Sequence, residues 1–288
     1  MQVIRRTSPI YGTVDTATLY LVEAQNWSRA RTVTDVFDFY PLSVLTVPSA
    51  GYEGRWVVAG GLTVAFTLLA RVLRGVSNSG AVAGAFSCFV LYAGGGPGAF
   101  AALVTVFALA WITTRLGYAR KQKLGTAERR EGRKASQVLA NLGVATACAA
   151  SSIVSHERAI LLLAMAAALS EAAADTVSSE VGQAFGEKAR LVTTWRSVPA
   201  GTDGGVSLIG TAAGMGAAGI VSSVCLLGGL LSLQALAISA GAAILGMIAD
   251  SFLGAGPERR GLINNDIVNF FGTLISAAFA YGLACIYL

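Results

Sequence analysis

From residue 56 onward the chain alternates between long apolar runs and short polar links, the pattern of a protein that crosses a bilayer repeatedly. The apolar runs fall at roughly 56–74, 79–95, 98–117, 137–154, 159–177, 204–226, 230–250 and 266–287. Crossing about 30 Å of hydrocarbon takes ~20 apolar residues in a helix, and a lipid-exposed backbone must satisfy its own hydrogen bonds. The pattern therefore predicts an all-α, polytopic transmembrane bundle of about seven to eight spans. Several runs are rich in Ala, Gly, Ser and Thr, which suits helices packed inside a bundle better than helices facing lipid. Residues 1–54 contain no run long enough to cross and read as a polar extension with short interfacial or surface helices, leaving 55–288 as the membrane domain. Their basic start lacks a following apolar core, unlike a secretory signal, and their acids argue against a transit peptide.

The links between runs set the orientation. The link after the third run holds Arg115, Arg120, Lys121, Lys123, Arg129, Arg130, Arg133 and Lys134, so the positive-inside rule places it in the cytoplasm. Alternation then places Arg71–Ser79, Ser178–Asp203 and Ser251–Asn265 on the same side. These four links carry fifteen of the 21 Lys and Arg residues, whereas Gly94–Gly98, Ser155–Arg158 and Leu226–Leu230 carry one. Alternation also sends the N-terminal extension outside, although it and the adjoining Arg55 hold five basic residues.

Composition agrees. Hydrophobic residues make up 54% of the 288 and charged residues 13%, with a mean hydropathy of +0.63. So little charge excludes a disordered chain, and that much apolar surface exceeds what one soluble core buries. The net charge of +5 sits in the links, so it reports topology rather than nucleic-acid binding. Cys88, Cys148, Cys225 and Cys285 lie within apolar runs without a CxxC pair, which fits packing residues rather than disulfides or zinc ligands. The single histidine, His156, falls in the short polar link Ser155–Arg158, which argues against histidine-based catalysis.

Charged groups within or beside spans are costly, about 2.5–3.5 kcal/mol each on insertion scales, and so point to function. In one group, Glu171, Asp175, Ser178, Ser179 and Gly182 share a helix face near the cytoplasmic end. A second, Gly201-Thr202-Asp203-Gly204-Gly205-Val206-Ser207, precedes a long apolar helix and has the makings of a phosphate-binding turn. Thr202 or Asp203 equally fits a simple N-cap. Lys188, Arg190 and Arg196, just upstream, suit either phosphate pairing or the positive-inside bias. In the third, Asp250 ends one span and Asp266 opens the next, with Asn265 and Asn269 on a shared face. Asp266 also fits a plain helix-dipole role. A weaker fourth element is Arg133 to Asn141, where Gln137 and Asn141 share a face.

All four elements fall at cytoplasmic ends. Carboxylates converging beside phosphate donors suit Mg²⁺, which takes one or two carboxylates plus phosphate oxygens and water. Carboxylates alone would also suit an ion path in a cation- or proton-coupled transporter. A lipid cytidylyltransferase has the same needs as a kinase.

The ordered motifs Ala174-Asp175-Thr176-x-x-Ser179-Glu180-x-Gly182, Gly201 to Gly214, Asp250-Ser251-x-Leu253-Gly254-Ala255 and Asn264-Asn265-Asp266-x-Val268-Asn269 resemble those of one known family. It is the integral membrane family called domain of unknown function 92, which includes animal transmembrane protein 19 and a plant chloroplast phytyl-phosphate kinase. Gln137 to Asn141 resembles the family's Gln-Val-Leu-Ala-Asn-Gly, with Leu142 standing where Gly is usual. The resemblance runs from about residue 60 to the C-terminus. It implies a polyprenyl-monophosphate kinase that takes a phosphoryl group from a nucleoside triphosphate, CTP by expectation, and gives the diphosphate. It also implies distant kinship with phytol and dolichol kinases and with CDP-diacylglycerol synthase.

Joined to the residues, the resemblance implies a triphosphate lying over Gly201–Ser207, with Gly201, Thr202, Asp203, Gly204, Gly205 and Ser207 as its contacts. Asp175 and Asp250 would hold Mg²⁺, with Glu180 or Asp203 as further ligands, and Lys188 or Arg196 would offset charge on the moving phosphoryl. The prenyl tail would lie between small-residue helices, its phosphate near Gln137, Asn141, Asn265 and Asn269. Phosphoryl transfer to an anionic acceptor asks for positioning and charge stabilisation rather than a strong base. The implied location is a prokaryotic cytoplasmic membrane with the site facing the cytosol, or a plastid envelope.

Overall fold

A computed structural model describes residues 52–128, 131–186 and 188–287. The expected polar extension lies outside the described residues, except for 52–54, which stand in the first helix. Eight helices follow one another in the described chain: α1 (Tyr52–Val72), α2 (Asn78–Arg115), α3 (Tyr118–Leu124), α4 (Ala135–Val154), α5 (Arg158–Phe185), α6 (Leu208–Leu227), α7 (Leu233–Leu253) and α8 (Asn265–Tyr287). Among the described residues, α2, α4, α5, α6, α8 and α7 with its extension to Glu258 are long and apolar enough to cross a membrane. α1 adds a shorter apolar stretch, Trp56–Val72.

α2 holds two of the expected spans. At 1.5 Å per residue, 38 helical residues would extend about 57 Å, well beyond a bilayer. Instead the chain turns back at Gly96, whose φ of 69° is left-handed, followed by Pro97. Both ends of α2 then lie together: α2 starts from the 73–77 loop, and near its end Trp111 Nε1 and Arg115 Nη2 donate back to Leu73 O in that loop. Residues 78–95 and 97–115 are thus antiparallel halves of a hairpin, so the six long apolar helices of the described residues supply seven apolar segments, with α1 as a shorter eighth.

Contacts at both ends fix the alternation. At the far end, Arg158 Nη2 donates to Gly94 O, and a Cβ on Gly98 would lie 2.6 Å from Gly228 O. Tyr281 donates to Glu157 there as well. At the other end lie the basic links at 73–77, 116–134, 186–207 and 254–264.

α5 is the axis of the bundle, packing against α2, α4, α6, α7 and α8. Every residue from Leu162 to Ala174 is buried, as expected of a helix apolar all round. Small residues let the neighbours close in. Gly210 and Gly214 of α6 press onto Ser178 O and Ala174 O of α5, the close approach that small residues four apart permit. Hydroxyls supply polar glue: Ser170, Ser222 and Ser239 form a buried chain at 2.9 Å per link, and Ser276 donates to Ala167 O. Cys88 and Cys225 are buried and unbridged, in keeping with packing roles.

Two features depart from the expected pattern. α5 continues to Phe185, eight residues past the expected end, which carries Ser178 to Gly182 as true helix. The link after it folds into a small antiparallel sheet ordered β2-β1-β3, from Ala189–Leu191 (β1), Ser197–Val198 (β2) and Gly205–Val206 (β3). Gly201 to Ser207 is therefore a sheet-edge turn and strand. α6 begins only after Ser207, whose hydroxyl caps it by accepting from the Gly210 N–H at 3.2 Å. The cap that fitted Thr202 or Asp203 by sequence belongs to Ser207.

Gly246 of α7 faces Glu171 and α8 so closely that a Cβ would stand 2.6 Å from Glu171 Cγ and 2.7 Å from Gly272 O. Gly246→Ala should therefore destabilise the protein by about 1–3 kcal/mol through overpacking, read as a lowered midpoint of thermal unfolding in detergent.

Candidate functional site

The basic-loop end of the bundle holds a polar cleft of about 220 Å³. α5 supplies Asp175 and the following Ser178, Ser179 and Gly182, because an i, i+3, i+4, i+7 spacing keeps them on one face. The end of α7 supplies Asp250 and Ser251. There the helix continues as a π turn, Gly254–Glu258, which contributes Glu258 to the wall. Local π geometry is frequent at functional sites, since it re-aims the side chains that follow. α8 brings Asn265 and Asn269, and α4 brings Gln137 and Asn141.

The sheet-edge turn closes the cleft with Gly201, Thr202, Asp203, Gly204, Gly205 and Ser207. Thr202 is anchored by its N–H and hydroxyl, both donating to Pro199 O, and the Gly205 N–H returns to Thr202 O at 2.8 Å. Gly204 has a φ of 69°, and any Cβ there would collide with the backbone of Ala255. That contact packs the turn onto the π segment. The glycine at 204 is thus required by protein packing, whatever ligand the turn meets.

The carboxylates form a graded cluster. Asp175 and Asp250, on separate helices, lie within hydrogen-bonding reach of each other. Asp250 Oδ2 nevertheless has no hydrogen-bond partner. Two carboxylates in contact repel unless a proton or a cation stands between them. Glu258 neighbours both Asp203 and Asp175. Glu171, which shares that helix face by spacing, lies beneath the floor at 1% exposure, with Oε1 unpartnered against Gly272. Among the described residues no three His, Cys, Asp or Glu side chains are grouped as a ready-made metal cage.

Several expected ligands have other partners. Glu180 lines the cleft, but Oε2 pairs with Lys121 Nζ at 2.5 Å and Oε1 accepts from Thr114 Oγ1 at 3.0 Å. Lys121, 1% exposed, also donates to Thr113 O and Thr114 O. Glu180 is therefore a structural anchor joining α3 to α5 rather than a free metal ligand. Gln137 uses its carbonyl to accept from the Lys134 N–H at 2.8 Å, capping α4, and its amide to donate to Glu128 at 3.3 Å. Asn141 spends one amide N–H on Gln137 O. Asn264, immediately before the predicted Asn265, caps α8.

Lys188 and Arg196 are exposed and do not line the cleft. Their loop folds into the sheet, whose Ala189, Gly205 and Val206 line the cleft while both cations lie on its exposed side. The cation that does line the cleft, alone among the described residues, is Arg133, an electrostatic neighbour of Asp175 that reaches Thr176 Oγ1 at 3.5 Å. Sequence gave Arg133 no role because seven other cations share its link. What singles it out is tertiary: Gly132 (φ 81°) and the Val76 bridge pin its backbone against the α1–α2 loop. Glu258 was missed because only the π turn swings it back.

A family model described as integral membrane protein DUF92 matches residues 61–277. The chain belongs to this family. It is 33% identical over 199 residues to an uncharacterized membrane protein of Synechocystis, covering 67% of this chain and 77% of the relative. It is 30% identical over 232 residues to the chloroplastic protein VTE6 of Arabidopsis thaliana, covering 77% and 69%. A third relative, an uncharacterized membrane protein of Methanocaldococcus jannaschii, is 31% identical over 220 residues, covering 76% and 90%. No solved structure matches the chain. This DUF92 protein is an integral, multi-pass membrane protein, and the matched region contains every residue of the cleft.

Breaking a buried pair from one side strands the other charge, at a cost of about 3–5 kcal/mol, and Glu180 is only partly buried. Lys121→Met should fall near ~3 kcal/mol on that scale, and Lys121→Met with Glu180→Gln should recover most of it. Thermal unfolding of the two variants side by side measures the difference.

Proposed function

We propose that this protein is a membrane phosphotransferase that moves a phosphoryl group from a nucleoside triphosphate, CTP in the first instance, to a prenyl monophosphate. The observation that carries the reading is the meeting of Asp175 and Asp250, from separate helices, beside the Gly201–Ser207 turn in one cleft. Membership of a family that resembles a plant phytyl-phosphate kinase supports the same direction.

The donor set suits Mg²⁺. Asp250 has a buried oxygen without a partner, and Asp175 stands against it. Those two carboxylates would hold the ion, with Asp203 on the rim, and Mg²⁺ otherwise prefers phosphate oxygens and water. When bound, it would neutralise charge on the triphosphate. The chain's own groups do the rest. Thr202 and the backbone of Gly204 and Gly205 border the space a triphosphate would fill. Arg133 faces the same space as a countercharge for the reacting phosphates, where sequence had expected Lys188 or Arg196 to offset charge on the moving phosphoryl. Asn269 and Asn141 add amides at the wall. No base is needed, because the acceptor oxygen is already anionic. The positive-inside rule puts this end in the cytosol, where the nucleotide is.

Purified protein incubated with labelled CTP or ATP, Mg²⁺ and prenyl monophosphates should yield prenyl diphosphate and nucleoside diphosphate. A CMP-containing lipid with pyrophosphate would instead establish a cytidylyltransferase and overturn the kinase reading. Loss of an outer-shell partner of a metal ligand costs 10–100-fold, so Asp175→Asn, which removes a direct ligand at constant volume, should lower turnover by about 100-fold or more. Its thermal midpoint should stay near wild type; full activity would remove Asp175 from the site.

A further inference from the structure

A second cavity, about 390 Å³, opens beside the cleft between α1, the α2 hairpin and α4. Its body is apolar, walled by Phe66, Leu103, Val106, Phe107 and Leu142, with Trp111 nearer the mouth. Its volume lies within the roughly 300–1,000 Å³ usual for small-ligand pockets. The mouth, at the basic-loop end, is lined by Arg74, Arg115, Tyr118 and Arg133. Arg133, Asn141 and Glu128 line both this cavity and the polar cleft, so the two adjoin at those side chains. The wall is built to leave room. Gly84 lines the cavity, and a Cβ placed on it would meet nothing within 4 Å. At 1.5 Å per residue, Gly84 lies about 9 Å along the first half of α2, so the space runs inward from the mouth.

An apolar chamber ending at a guanidinium, next to a cleft of carboxylates, is complementary to one class of molecule: a single hydrocarbon tail carrying one phosphate. We infer that this chamber holds the isoprenoid tail of the acceptor and that Arg133 binds its phosphate where chamber and cleft adjoin. This rests on the phosphotransferase reading for the phosphate's destination, whereas the chamber itself is a binding site testable without nucleotide. It moves the tail away from the small-residue helices around α5, where the bundle is closed, to the α1–α2–α4 side.

The test uses the full chain in nanodiscs and a twenty-carbon prenyl monophosphate with a diazirine at the tail end. Photolabelling should map to peptides around residues 66–84 and 103–111; labels confined to α6, α7 and α8 would overturn the assignment. A graded series, Gly84→Ala, Gly84→Leu and Gly84→Phe, fills the chamber in steps and keeps the test open if the largest variant fails to fold. Gly84→Phe should weaken binding of the twenty-carbon ligand about tenfold by overpacking, with a five-carbon prenyl monophosphate unaffected. Unchanged twenty-carbon binding in every folded member of the series refutes the chamber. Arg133→Gln should abolish the preference for the phosphate over the free prenol while leaving tail labelling in place; a retained preference removes Arg133 from the phosphate. Tail labelling without phosphoryl transfer would leave the chamber standing and sink the phosphotransferase reading. Transfer that is indifferent to the Gly84 series would do the reverse.

Discussion

Carboxylates held at the edge of a hydrocarbon layer are the constraint around which this bundle is arranged. Asp175 and Asp250 face the same cleft from two different helices, and Glu171 lies buried one turn deeper on α5. Each such group costs about 2.5–3.5 kcal/mol on insertion scales. A polypeptide keeps them only if neighbouring structure supplies a charge, a polar wall or a ligand. Here Arg133 stands beside Asp175, and the surrounding wall is polar on every helix that reaches it.

Meeting that constraint dictates the packing. α5 carries the acids, so it takes the centre, and five other helices or helix halves enclose it. Their approach depends on residues without bulk: Gly210 and Gly214 on α6, Gly246 on α7 and Gly272 on α8 each abut an α5 atom that a Cβ would strike. The serine chain from α5 through α6 to α7 satisfies three buried hydroxyls inside the bundle. By contrast α1 stands off from the axis and meets the α2 hairpin through aromatic edges, Phe66 against Phe100 and Phe107. Within the described helices, the α5–α8 packing is therefore tight, whereas the space between α1, the α2 hairpin and α4 is hollow. The polar cleft adjoins that space.

Local sequence also shows two meanings of glycine at the cleft. The run from Gly201 to Gly205 reads as a phosphate turn, yet Gly204 is demanded by Ala255 pressing on it. Ser207 terminates the same run as a helix cap. A motif of this kind does two things at once, fixing its own position on the π segment and presenting backbone to the space beside it. The same economy applies to Gln137, which caps α4 while lining the cleft.

The amino-acid pattern alone determined the all-α class, the alternation of crossings, the basic end and the gathering of Asp175, Asp250, Gly201–Ser207, Asn265 and Asn269 at that end. Those properties follow from period, length and charge balance, which are local or summed quantities. The reversal at Gly96 left a trace too, as a short break between two runs. Only the folded arrangement decided that Glu180 is tied to Lys121, that Glu171 sinks below the floor, that Lys188 and Arg196 lie exposed off the cleft, and that Arg133 is the cation at the cleft. Which of many like charges faces a cleft depends on how loops dock and helices rotate about their axes. Those choices are made by contacts between residues such as Val76 and Arg133, distant in sequence, that no spacing along the chain encodes.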